Sequence, residues 1–263
     1  MIVDSHCHLN ILPEDKVGSL DDVIAKATEL GVTRILCVAI NPQQWQEVLD
    51  LADQYECVYA SIGVHPCEDK ETVVTDDELI KAASHPKVIA IGEVGLDYFH
   101  FEKESVEEGG VQWQHDRFAQ HIRIAKQLNK PLIIHTRNST PDCLAILAKE
   151  EANQVGGIMH CFVEDLATAQ QAIELGFYIS FSGIVTFKNA KELKAVATEL
   201  PLDKILVETD APYLAPMPFR GKINQPGYTR YVVEEIAKLK NLSFETVAEA
   251  TTENFNRLFR LVD

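Results

Sequence analysis

The chain has 263 residues, 46% of them hydrophobic and 24% charged, with a formal net charge of -16 at pH 7. That length can bury a large core and is ordinary for one (β/α)8 barrel, about 250 residues, so residues 1–263 are expected to form one domain. Such acidity excludes a broad basic surface for gripping nucleic acid, and any anionic substrate must be held locally.

In chain order, eight strand-like runs appear: Ile2 to His8, Thr33 to Ala39, Cys57 to Val64, Val88 to Glu93, Pro131 to His135, Gly157 to His160, Phe177 to Ser182 and Lys204 to Glu208. Between them lie stretches of helical periodicity, such as Phe118, Ile122, Ala125 and Leu128 on one face of WQHDRFAQHIRIAKQLN. Apolar strands joined by helical crossovers imply parallel pairing covered by helices, and eight strands close a barrel. The predicted fold class is therefore α/β, a (β/α)8 TIM barrel whose strand C-termini gather at one functional face.

Six potential metal ligands, His6, His8, Glu93, His135, His160 and Asp210, stand at the C-terminal ends of these runs. In IVDSHCHL the two histidines are two residues apart, and strand alternation points both imidazoles the same way. A lone histidine at a strand end reads more simply as a hydrogen-bonded core residue. Two on one strand, joined by two at the ends of other strands, favour metal, since imidazole is the commonest metal ligand.

Glu93 could cap a strand, but in a barrel mouth an unpaired carboxylate is costly to desolvate, and one at this position could bridge two cations. Asp210 alone would suggest a turn before a proline; beside the other ligands it is expected to bind metal and accept a proton, making Asp210 and Glu93 the candidate catalytic pair. Glu208 is assigned a supporting place beneath the site, and His65 a substrate contact, with a structural role for His65 equally open. His85, His100, His115 and His121 are expected at the surface, and strand alternation turns Cys7 and Cys161 into packing positions.

The two longest connections border the same mouth. The stretch after Asp97 carries Glu102, Glu104, Glu107 and Glu108 before Gly109 and Gly110, and reads as a solvated, flexible loop. APYLAPMPFRGKINQPG carries Arg220 and Lys222; with Arg137 and Lys188 these are candidates to contact phosphates, against a plainer reading as surface charge. No aromatic-plus-basic run suggests a stacking platform for long single strands.

The six cysteines form no CxxC pair and mostly lie in apolar runs, where a reduced thiol behaves as a small hydrophobe. No segment reaches about 18 uninterrupted apolar residues, and no basic flank or apolar signal core follows Met1. The expectation is a cytoplasmic protein with no membrane association and no evident obligate protein partner.

The segments VDSHCHLN, GVHP, IGEVGLDYF, PLIIHTRN, MHCF, GFYISFSGIVTFKN and LVETDAPYLAP with RGKINQP resemble, in order and nearly end to end, the TatD family of metal-dependent hydrolases. The resemblance implies an amidohydrolase-like barrel and a magnesium-dependent deoxyribonuclease. It implies that His6, His8, Glu93 and Asp210 hold one ion while Glu93, His135 and His160 hold a second. It also implies a glutamate bridge where related amidohydrolases often carry a carboxylated lysine. The acidic stretch from Phe101 to Gly110 is longer than the resemblance leads one to expect.

Independently of the family, such ligands point to hydrolysis, because a divalent ion lowers the pKa of bound water from about 15.7 toward about 7, and two ions roughly 3.5 to 4 Å apart suit phosphoryl displacement. Mg2+ or Mn2+ is the expected working ion, with Zn2+ or Ni2+ able to occupy the site. The leading expectation is release of nucleotides from single-stranded DNA or DNA ends. The alternative is hydrolysis of esters or cyclic amides, for example by an aminoacyl-tRNA deacylase, and a metal-loaded binding module is a third reading.

Overall fold

The computed structural model describes residues 1–261, and within them each apolar run becomes a strand. These are β1 Ile2–Cys7, β2 Val32–Val38, β3 Val58–Ile62, β4 Val88–Asp97, β5 Leu132–Arg137, β6 Gly157–Met159, β7 Phe177–Phe181 and β8 Ile205–Val207. Neighbours pair in parallel and in chain order. The sheet's two edges meet: Ser5 Oγ donates to Val207 O at 3.0 Å, Asp210 N to His6 O at 2.9 Å and His8 N to Ala211 O at 2.8 Å. Closure removes the exposed edges, so the molecule is the expected (β/α)8 barrel.

Helices fill the connections, several with start signals written in the chain. Ser19 with Asp22 and Thr75 with Glu78 form reciprocal capping boxes, which satisfy backbone N–H groups that a helix start would otherwise leave unpaired. One buried cluster, including Leu132, Ile134, Phe118 and Ile122, joins strands to helices. A second, Val3, Leu36, Val38, Ala90, Ile133, Ile158, Tyr178 and Leu206, with partly buried Tyr59, draws on every strand and is closed by Phe255 and Phe259 of the C-terminal helix. Residues supplied by every strand in turn fill the barrel interior.

From that interior layer, simple alternation carries Ile133 to His135, Ile158 to His160 and Leu206 to Glu208 at the mouth. β1 and β4 depart from it, with register shifts between Asp4 and Cys7 and between Ile91 and Val94. Bulges of this kind re-aim side chains beside active sites, and here they bring His6, His8 and Glu93 to the mouth while Cys7 and Ile91 pack among the outer core. Gly95 permits the close approach of β4 to β5: at φ 142, a Cβ there would lie 2.0 Å from His135 O.

Two expectations are corrected. The acidic stretch after Asp97 folds into a short helix, Lys103–Glu107, because Phe101 and Val106 pack against the core and anchor it; the side chain of Glu104 lies outside the described residues. His121 is not a surface residue but fully buried on the helix Gln112–Leu128. Three residues after Phe118 and four before Ala125, it shares their inward face.

Its Nδ1–H donates to Arg117 O at 2.8 Å. Burial pushes the imidazole down to about 4, with that hydrogen bond pulling the other way. An unfolded histidine titrates near 6.5, so below about pH 6.5 the unfolded chain takes up a proton that the fold refuses. Stability therefore falls as pH drops from about 6.5 to about 4, by about 3 kcal/mol from this group, and is untouched above that window. Urea titrations of His121→Leu should show a flatter pH dependence than wild type across this range; parallel curves would contradict the assignment.

Candidate metal centre

Strand ends and the turn after β8 bring His6, His8, Glu93, His135, His160 and Asp210 together at the mouth of the barrel. His6 Nε2 and His8 Nε2 are 3.3 Å apart, and Glu93 Oε2 lies 3.3 Å from the first and 3.8 Å from the second. Asp210 Oδ1 borders the same group, 3.7 Å from His6 Nε2 and 3.5 Å from His8 Nε2. The other oxygen of Glu93 turns to a second group: Oε1 is 2.9 Å from His135 Nδ1, 3.0 Å from His160 Nε2 and 3.3 Å from His65 Nε2.

Donor atoms about 2.1 Å from a common ion lie roughly 3.0 to 3.4 Å from one another, depending on geometry. The observed spacings cluster around that value, so His6, His8 and Glu93, and separately His65, Glu93 and His135, have the donor arrangement of cation sites. His65, expected as a substrate contact, thus stands among the imidazoles that face Glu93.

The electrostatics are those of a site built for positive charge. Burial pushes the Glu93 carboxyl up, but the imidazoles of His160, His65 and His6 outweigh it and hold the group well below the usual carboxylate range. Burial likewise lowers His160, yet Glu93 and Glu208 hold it well above the usual histidine range. His6 is driven down, by burial first and then by His160; the two rings stack with centroids 3.8 Å apart.

Behind these donors, three imidazoles have their outer nitrogen engaged. His8 Nδ1 bonds to Val38 O at 2.8 Å, His160 Nδ1 to Glu208 Oε1 at 3.1 Å, and His135 Nε2 to Asp97 Oδ2 at 3.1 Å. Each acceptor fixes the ring and directs its remaining nitrogen at Glu93 or His6, as the outer partners of metal-bound histidines do. Glu208 occupies the supporting position expected for it, and also accepts from Cys161 N at 2.7 Å.

Cys161 itself is no strand residue: β6 ends at Met159 and Cys161 has φ 44, so alternation does not set its direction. Its thiol lies 3.3 Å from Ser182 Oγ. Arg137 and Arg220 stay exposed on the rim, stacked over Phe99 and Phe187 at 3.5 and 4.3 Å from the ring centroids.

Asp97 and Asp4 went unread in the sequence. Asp97 lies four residues past Glu93 on the same strand, so period-two alternation was an available signal for it, whereas the register shift in β1 separates Asp4 from the phase of His6 and leaves no such signal. Asp97 accepts from Phe99 N at 2.8 Å and from the Cys67 thiol at 3.3 Å. Burial pushes its carboxyl up, but the His135 hydrogen bond prevails and holds it at about 2. Asp4 accepts from Thr209 Oγ1 at 2.6 Å and is driven up to about 8 by burial, joining β1 to the turn after β8.

The family model described as TatD related DNase matches residues 3–260. The chain belongs to the TatD family. Its relatives include the uncharacterized metal-dependent hydrolase YcfH of Escherichia coli, 45% identical over 99% of this chain and 96% of that protein. YabD of Bacillus subtilis, described in the same words, is 44% identical over 99% of this chain and 100% of its own. Among solved structures, the E. coli TatD homolog YjjV superposes with a TM-score of 0.88 at 28% identity, covering 99% and 98% of the two chains. The protein is thus a metal-dependent hydrolase of the TatD family. Among the described residues no helix is long and apolar enough to cross a membrane.

Replacing Asp97 by Asn keeps its shape but removes a charged acceptor from His135. Calorimetric titration of demetallated D97N with Mn2+ should give affinity for one ion weakened about 10- to 100-fold, with the fold retained. Unchanged affinity would exclude an orienting role for Asp97.

Proposed function

We propose that this hydrolase cleaves phosphodiester bonds at DNA ends using two divalent ions. The observation that carries the reading is the division of Glu93, whose two oxygens each serve a separate group of imidazoles. His6, His8, Glu93 Oε2 and Asp210 Oδ1 would hold one ion; Glu93 Oε1, His135 Nδ1 and His160 Nε2 would hold the other, with His65 beside it. When bound, the ions supply acidification of water and neutralisation of phosphate charge.

The chain's own groups do the rest. Asp210 takes the proton released from the attacking water at its carboxylate. Burial raises that carboxyl, but the His8 hydrogen bond and the charges of His160 and His6 hold it below the usual range, so it is ionised and receptive at neutral pH. Its place is set by the turn after β8, where Asp210 N donates to His6 O at 2.9 Å. Arg137 and Arg220 would contact phosphates flanking the scissile bond.

Local attraction can prevail over the net charge of -16 because charges are screened beyond about 8 Å at physiological salt. Mg2+ or Mn2+ is proposed as the working ion, with Zn2+ or Ni2+ able to take its place. Cytoplasmic residence fits the six unpaired thiols.

Demetallated protein titrated with each ion against labelled single-stranded DNA and aminoacyl-tRNA should release mononucleotides with Mg2+ or Mn2+. Release of amino acid alone, or no release under any divalent ion, would remove the nuclease reading. Glu93→Gln should lower turnover by more than the roughly 10- to 100-fold typical of losing an outer partner, with the barrel fold retained by circular dichroism. Full turnover in that variant would contradict the shared carboxylate.

A further inference from the structure

Next to the metal centre a separate cavity of about 540 Å3 opens between the loop after β3 and the loop after β4. Asp97 is part of its lining, and the same carboxylate reaches His135 Nε2 at 3.1 Å, so the cavity lies one side chain away from the second imidazole group. Phe101 and Trp113 supply aromatic lining, with ring centroids 6.4 Å apart and planes at 58°.

The cavity is held ready. Arg117 lies over Trp113, 4.8 Å from the ring centroid, and donates to four backbone carbonyls of the loop after β3: His65 O at 3.3 Å, Glu68 O at 3.2 Å, Asp69 O at 2.7 Å and Thr72 O at 3.0 Å. A loop stitched to a helix in this way has little order left to acquire on binding.

Its charge decides what fits. Three carboxylates, Glu68, Asp69 and Asp97, line the cavity against one ammonium, Lys70, whose amine also lies 3.8 Å from Glu71, and one imidazole, His100. Phosphate is repelled from such a lining and is left to the imidazoles at the barrel mouth. A neutral, planar ring with an amino group is favoured, stacking on the aromatics and donating to the carboxylates, whereas the one ring N–H of thymine is flanked by two carbonyl oxygens that the carboxylates repel. The volume falls within the roughly 300 to 1,000 Å3 of small-molecule sites.

We propose that this cavity is a nucleobase subsite, taking the base of the nucleotide whose phosphate sits at the metal centre. Bases with an exocyclic amino group, adenine, cytosine and guanine, are preferred over thymine. The proposal rests on the phosphodiester reading above. It also gives the stretch after Asp97 a use, since Phe101 and Gly110 help to line the cavity.

The test is calorimetric binding of dAMP, dCMP, dTMP and 2-deoxyribose 5-phosphate to the Mg2+-loaded protein. Stacking predicts that dAMP binds about 10-fold or more tighter than the sugar phosphate lacking a base, with dTMP weaker than dCMP. Phe101→Ala and Trp113→Ala should each close the gap between dAMP and the baseless phosphate, and the double variant E68Q/D69N should erase the preference for dCMP over dTMP. Because Phe101 also anchors the stretch after β4, Phe101→Leu, which keeps the apolar contact and removes the ring, should close the gap as well, and retained Mg2+ binding verifies each fold. Equal binding of dAMP and deoxyribose phosphate by wild type, or a gap that survives both aromatic variants, overturns the subsite. If the gap appears and closes as predicted while no DNA is cleaved, the subsite stands and the phosphodiesterase reading falls.

Discussion

A carboxylate almost completely removed from water, with imidazoles around it, is the constraint on which the rest of the structure turns. Glu93 is 2% exposed, and five histidines approach its oxygens within 3.8 Å. An isolated buried charge would be untenable, so the surroundings must supply positive charge from protonated rings or bound cations. The two oxygens face different groups, which makes one side chain the meeting point of strands that are distant in sequence.

Holding that carboxylate in place requires irregularity in an otherwise regular barrel. β5, β6 and β8 deliver their residues by alternation from the interior layer, whereas β1 and β4 need register shifts. A bulge gives up local ladder bonds to re-aim a side chain. Here those interruptions fall on the two strands that carry His6, His8 and Glu93. Gly95 lets β4 run on beyond the bulge against β5, which places Asp97 behind His135.

Outside the donors, a ring of acceptors does the orienting. Val38 O, Asp97 and Glu208 each engage one nitrogen of a different imidazole, so the direction of the free lone pair is set before anything binds. Asp97 reaches further, because it also accepts from Cys67 and lines the neighbouring cavity. One carboxylate therefore couples the geometry of the imidazole cluster to the shape of the space beside it.

Much of this was legible in the chain. Apolar runs of strand length alternating with helical periodicity implied a parallel barrel, and parallel strands place their C-terminal residues on one face, which was enough to predict convergence of His6, His8, Glu93, His135, His160 and Asp210. The same two-residue period links Asp97 to Glu93, and the helical period puts His121 on a buried face, whereas Asp4 lies across the β1 register shift from His6 and carries no such signal.

Other features depended on contacts between loops far apart in sequence. That His65 faces Glu93, that Phe101 and Val106 turn an acidic stretch into ordered structure, and that Arg117 stitches the loop after β3 are examples. Periodicity is a property of one segment, so the sequence by itself determined the barrel and the face on which these imidazoles and carboxylates lie. Bulge phase, ring orientation and cavity shape depend on distances across segments, and only the tertiary structure decided them.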